Sequence, residues 1–169
     1  DYVFISAPEN VAWTLNIRGS DNPNSPIPNC RLIIGKNNEI FLITQKQKIS
    51  KIIKERKLSI KQIVKPEKFE DLIGKLKGRK FIIDQLSCSV LNEKIIQSKF
   101  QIINKNDPCY ELKAIKNPTE IKNMINAHIE DGVALTKFLY WIKNIKKLNL
   151  TEKQVEKKLE NYRKQNKNY

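Results

Sequence analysis

Apolar and polar positions follow two rhythms along this chain. In the first two thirds, short apolar runs recur: Tyr2-Val3-Phe4-Ile5, Arg31 to Ile34, Glu39 to Thr44, Ile60 to Val64, Phe81 to Ile83 and Phe100 to Ile103. Runs of this length, rich in β-branched and aromatic residues, read as strands. Gly35-Lys36-Asn37-Asn38 joins two of them as a β-hairpin. Between the others the spacing becomes helical. Val11, Ala12, Trp13 and Leu15 fill a short helix entered at Ser6 to Glu9, with Ser6 or Asn10 as its cap. A basic helix is expected around Ile49 to Arg56. Phe69, Leu72, Ile73 and Leu76 mark a helix over Glu67 to Lys77, closed by Gly78. Ser87 to Ser98 reads as a helix with Val90, Leu91, Ile95 and Ile96 turned inward. Strands alternating with helices predict an α/β domain over residues 1–113, a mixed sheet flanked by helices.

The second rhythm begins at Lys116. Ile121, Ile125, His128, Gly132, Leu135, Leu139 and Ile142 recur at steps of four and three, one side of a long helix running to Ile145. Asn117, Pro118 and Glu120 mark its start as a capping box with proline in the first turn. Thr151 and Gln154 repeat the capping signature, and Val155, Leu159 and Tyr162 give a second helix a thin apolar stripe. The apolar side of the long helix calls for burial, and Ile129, Val133, Tyr140 and Trp141 carry apolar surface onto other faces. Two helices do not enclose a core. Residues 114–169 are therefore expected to be the first two helices of a domain whose sheet is missing from the chain.

Composition changes this picture little. The chain has 169 residues and a formal net charge of +14, from 32 Lys and Arg against 18 Asp and Glu. That excess raises the alternative of a non-enzymatic basic module binding an anionic partner such as nucleic acid. Its chemistry argues against this: only Arg18, Arg31, Arg56, Arg79 and Arg163 are arginines, and the lysines are scattered rather than clustered. Cys30, Cys88 and Cys109 are odd in number and share no metal-type spacing, which fits reduced thiols in a cytoplasmic protein. No run approaches the roughly 18 apolar residues that span a bilayer, so no membrane association is expected. The chain opens at Asp1, directly into a strand, and reads as an excised segment.

Candidate chemistry is sparse. His128 is the only histidine, without a second His or converging carboxylates to make a metal site or a general base, and reads as a structural residue on a packed helix face. Gly132 in mid-helix predicts close approach of a neighbouring backbone. Arg18 and Asp21 sit on a proline-rich loop beside Trp13. They either present a charge and an aromatic face to a ligand or form an ion pair that fixes the loop. Gly19-Ser20 lacks the pattern of a phosphate loop. No histidine lies near a cysteine to activate it. Glu70-Asp71 and Glu130-Asp131 are adjacent along helices and therefore diverge.

Two stretches carry a resemblance. Asn10 to Asp21 followed by Asn24-Ser25-Pro26-Ile27-Pro28 resembles the "AWLLNxRGSD…NPxP" segment in the middle domain of three-domain Xaa-Pro aminopeptidases. Lys113 to Trp141 is similar to the helix that opens their catalytic domain, and Thr151 to Arg163 to the helix after it. The resemblance implies a creatinase-like middle domain at 1–113 and the start of a truncated pita-bread metallopeptidase domain at 114–169. It implies a hydrolase that takes peptides with proline at the second position and removes the residue before it, with two divalent ions, manganese or zinc. The two Asp, one His and two Glu that hold those ions in the family have no counterpart here. The chain is thus expected to be non-catalytic, supporting active-site access and assembly. Trp13, Arg18 and Asp21 are the candidate inter-domain or substrate-side contacts, and a homodimer is a further expectation. Cys30 and Glu130 depart mildly from the family's pattern.

Overall fold

Alternation of apolar side chains fixes the sheet from which the rest is built. The structure is a computed structural model that describes residues 1–45, 55, 58–146, 149–167 and 169. The chain divides into two compact units, Asp1–Ala114 and Ile115–Tyr169. In the first unit, β1 (Tyr2–Ile5), β2 (Arg31–Gly35), β3 (Ile40–Ile43), β4 (Ile63–Val64), β5 (Lys80–Ile83) and β6 (Gln101–Asn104) form a mixed sheet. Its order is β4-β3-β2-β1-β5-β6. β1 runs antiparallel to β2 and parallel to β5, which runs parallel to β6. The carboxyl ends of β1, β5 and β6 thus share one edge of the domain.

Successive residues of a strand face opposite sides, so the sheet feeds two cores. On one side Tyr2, Phe4, Ile33, Phe81 and Ile83 meet Phe69, Ile73 and Leu76 from α2 (Phe69–Lys75) and its end, and Ile96 from α3 (Val90–Gln97). Tyr2, Phe81 and Phe100 pack ring on ring there, with centroids 5.2 to 5.8 Å apart. The other side gathers Ile5, Leu32 and Leu42 with Val11 and Ala12 of α1 (Pro8–Leu15) and Cys109 of α4 (Cys109–Ala114). Gly35 is required for close packing: a Cβ there would stand 2.9 Å from Cε1 of Tyr2.

Several local expectations are corrected. Neither Ser6 nor Asn10 caps α1; Ala7 occupies that position without a side-chain bond, and Pro8, which lacks an N–H, opens the helix. Ile60–Gln62 is a 3₁₀ turn because Ser59 and Gln62 form a capping box, which leaves Ile63–Val64 as the strand. α2 ends at Lys75 with Leu76 extended, so Gly78 lies beyond its cap. Val90 and Leu91 are exposed because about 100° per residue turns them away from Ile96, the residue that reaches the core. α4 was not foreseen. The expected basic helix around Ile49 to Arg56 lies outside the described residues, apart from Glu55.

In the second unit, α5 (Pro118–Lys143) carries the expected Asn117/Glu120 capping box and α6 (Glu152–Arg163) the expected Thr151/Gln154 box. The two helices pack together. Arg163 holds Asp131 through Nε and Nη2, at 2.6 and 3.2 Å. Lys158 Nζ stands over both Trp141 and Tyr162. Ala134 is the buried residue of α5, whereas Ile121, Ile125, Ile129, Val133 and Leu139 of its apolar surface are exposed. A Cβ at Gly132 would meet nothing within 4 Å, so the expected backbone approach is absent among the described residues. His128 is likewise exposed rather than packed.

Candidate functional site

Where β1, β5 and β6 end together, the chain turns polar: Ser6 follows Ile5, Asp84 follows Ile83, and Asp107 stands three residues after β6. Carboxyl ends of parallel strands are where α/β sheets form crevices. Here the polar groups are buried and fully paired. Asn10, with no exposed surface, donates from Nδ2 to Asp107 Oδ2 at 2.7 Å. The Cys109 backbone N–H donates to Asp107 Oδ1 at 2.9 Å. Asp107 in turn gives its own N–H to Asp84 Oδ2 at 3.3 Å, and Leu86 N–H reaches Asp84 Oδ1 at 3.0 Å. Lys113 of α4 donates to Asn10 Oδ1. The hydroxyls of Ser6 and Ser87 meet at 2.7 Å. No buried side-chain nitrogen or oxygen among the described residues lacks a partner.

This cluster ties α1, the ends of β5 and β6, and α4 into one network. It is built to hold, because the carboxylates accept from fixed N–H groups and no activated nucleophile faces a base. The thiols agree. Burial, then the charges of Glu93 and Asp84, push the Cys88 thiol up to about 11. Burial also raises Cys109, despite a contact with Thr14 Oγ1 at 3.3 Å. Both remain protonated near neutral pH and are poor nucleophiles.

Trp13 lies in the last turn of α1 and is 40% exposed; Arg18 and Asp21 follow on the loop, both exposed. Among the described residues, the ion pairs include none between Arg18 and Asp21. Arg18 Nη1 donates to the Ile17 carbonyl at 2.9 Å, and Asp21 Oδ2 accepts the Asn29 N–H at 2.6 Å. Asp21 therefore does brace the loop, through the backbone. Gly19 helps: its N–H bonds the Pro26 carbonyl at 3.0 Å, and a Cβ on it would lie 2.6 Å from Pro28 Cβ. Among the described residues no three His, Cys, Asp or Glu are grouped to hold a metal ion, so the residues present do not form a dinuclear site.

Sequence reasoning missed the Asn10–Asp84–Asp107–Lys113 network. Its signal was available in part: Asp84 directly follows the apolar run Phe81 to Ile83, and Asn10 sits between the helix-opening Pro8 and the buried Val11 and Ala12.

Comparison with known proteins agrees with this architecture. Xaa-Pro aminopeptidase 1 of Dictyostelium discoideum is 34% identical over 173 residues, covering 98% of this chain and 27% of its own length. The Drosophila melanogaster Xaa-Pro aminopeptidase ApepP is also 34% identical, over 85% of this chain and 24% of its own. The chain thus spans about a quarter of the length of these curated relatives. Among solved structures, an Xaa-Pro dipeptidase from Bacillus anthracis superposes with a TM-score of 0.65 at 16% identity, over 98% of this chain and 44% of that one. Prolidase from Pyrococcus furiosus gives 0.62 at 24%, over 98% and 45%, and the two likenesses show the shared fold. The family model for the creatinase/prolidase N-terminal domain matches residues 1–120, and the chain belongs to that family.

Proposed function

We propose that this chain is the creatinase-like middle domain (1–113) and the first two helices of the catalytic domain (114–169) of a metal-dependent Xaa-Pro aminopeptidase. That enzyme removes the N-terminal residue preceding proline. The observation that carries the reading is the 34% identity to the Dictyostelium aminopeptidase across 98% of this chain. The parent's two divalent ions, manganese or zinc, would be held by residues outside this chain. The chain itself supports active-site access and assembly without catalysis. Trp13, Arg18 and Asp21 are its inter-domain or substrate-side contacts, and the bracing of their loop supports that role by keeping it stiff. The exposed apolar side of α5 supports a homodimer, and three cysteines outside any disulfide support a reducing, cytoplasmic setting.

The alternative of a nucleic-acid-binding module finds no support among these relatives. An assay of the purified 169-residue chain on an Xaa-Pro peptide with added manganese tests the proposal. No release of the N-terminal residue above buffer is expected. Turnover that survives repurification overturns the claim that the catalytic machinery lies elsewhere.

A further inference from the structure

Among the described residues, the sheet face that carries α1 and α4 is covered along only part of its length. Strand register places Val3 opposite both Ile34 and Ile82, Ile34 opposite Ile40, and Ile82 opposite Ile103. These side chains share one face and form an aliphatic row across five strands. All of them are only half-buried. Two positions along the strands on the same face, Ile5 and Leu32 lie beneath α1 and are 2% and 0% exposed. In the other direction the face ends in Lys36 and Lys80, two residues beyond Ile34 and two before Ile82, both exposed. Val3, Ile34, Ile82 and Ile103, with the two lysines, line an open recess of about 420 Å³.

The shape and charge of this recess select an occupant. Five strands at about 4.8 Å spacing make a shelf on the order of 19 Å wide, matching about 13 residues of helix. Its inner side asks for apolar side chains and its outer rim for carboxylates. Asp1 at the rim does not reverse the charge, because its carboxylate accepts the backbone N–H groups of Arg79 and Lys80 at 3.1 and 3.0 Å. We propose that this shelf docks an acidic amphipathic helix of a partner polypeptide, with its apolar stripe along the Ile40 to Ile103 row and its carboxylates on Lys36 and Lys80.

The test titrates the ¹⁵N-labelled full chain with a synthetic helix of about 18 residues, a leucine stripe flanked by glutamates. Controls are the same stripe flanked by lysines, and laurate. Saturable shifts at Val3, Ile34, Ile82 and Ile103 are expected with the acidic helix alone. The double variant K36E/K80E, at exposed positions, is expected to weaken binding about tenfold or more while leaving the unfolding midpoint unchanged. Should that variant fail to fold, K36Q/K80Q is expected to weaken binding by a smaller factor. Equal binding of the lysine-flanked helix, shifts confined to other residues, no loss in a folded charge variant, or saturation by laurate alone would each overturn the proposal.

Discussion

Asn10→Ala is the sharpest perturbation of the polar network at the carboxyl edge of the sheet. Asn10 has no exposed surface, and its Nδ2 lies 2.7 Å from Oδ2 of an Asp107 that is itself 4% exposed. A hydrogen bond to a charged group contributes about 1.5 to 3 kcal/mol, and truncation also leaves a buried carboxylate oxygen short of a donor. A loss of about 3 kcal/mol follows, roughly 10 °C of unfolding midpoint for a unit of this size. Asn10→Asp keeps the shape while replacing the donor by a second acceptor, and should cost more. Thermal and urea unfolding of N10A, D107A and the double variant give the coupling energy directly. A midpoint lowered by less than about 2 °C, with coupling below about 0.5 kcal/mol, would refute the reasoning that this network fastens α1 and α4 to the sheet.

Other expectations follow from single contacts. Gly132→Ala should stabilise α5 by about 1 kcal/mol, since the added methyl meets nothing within 4 Å; a denaturant melt showing loss instead would reveal a neighbour on that side. The hydrogen bond from Arg163 holds the Asp131 carboxyl below its ordinary value of 3.8. A carboxylate with a lowered folded value stabilises above its ordinary value, and that contribution is lost as pH falls through the folded value. An NMR titration should therefore place Asp131 below 3.8 and Arg163→Gln should return it toward 3.8; an unchanged midpoint in the variant would contradict the pairing. With its thiol raised from 9.0 to about 11, Cys88 should carry about 100-fold less thiolate at pH 8 than an unperturbed cysteine. Alkylation by iodoacetamide, read by mass spectrometry of the Cys88 peptide, should be correspondingly slow.

What could be read from residues alone was what local chemistry decides. The capping boxes at Asn117 and Thr151, the hairpin around Gly35 to Asn38 and the strand at β5 depend on neighbours in sequence, and the structure contains each of them. What failed depended on contacts far along the chain. Asn10 read as a cap because its partner is 97 positions away; in the fold it serves Asp107. Val90 and Leu91 read as inward because they are apolar, yet Ile96 decides which side of that short helix faces the sheet. Arg18 and Asp21 looked like a pair by charge, but Arg18 donates to the Ile17 carbonyl and Asp21 accepts the N–H of Asn29, eight positions along the chain. The aliphatic row from Ile40 to Ile103 was invisible because it exists only once strand register is known.

The most direct measurement is a chimera in which this chain replaces its 34%-identical counterpart in the Dictyostelium Xaa-Pro aminopeptidase 1. If the chain is the structural share of such an enzyme, the folded chimera releases the N-terminal residue from an Xaa-Pro peptide. A chimera that folds, binds its metal ions and leaves that peptide intact would contradict the account.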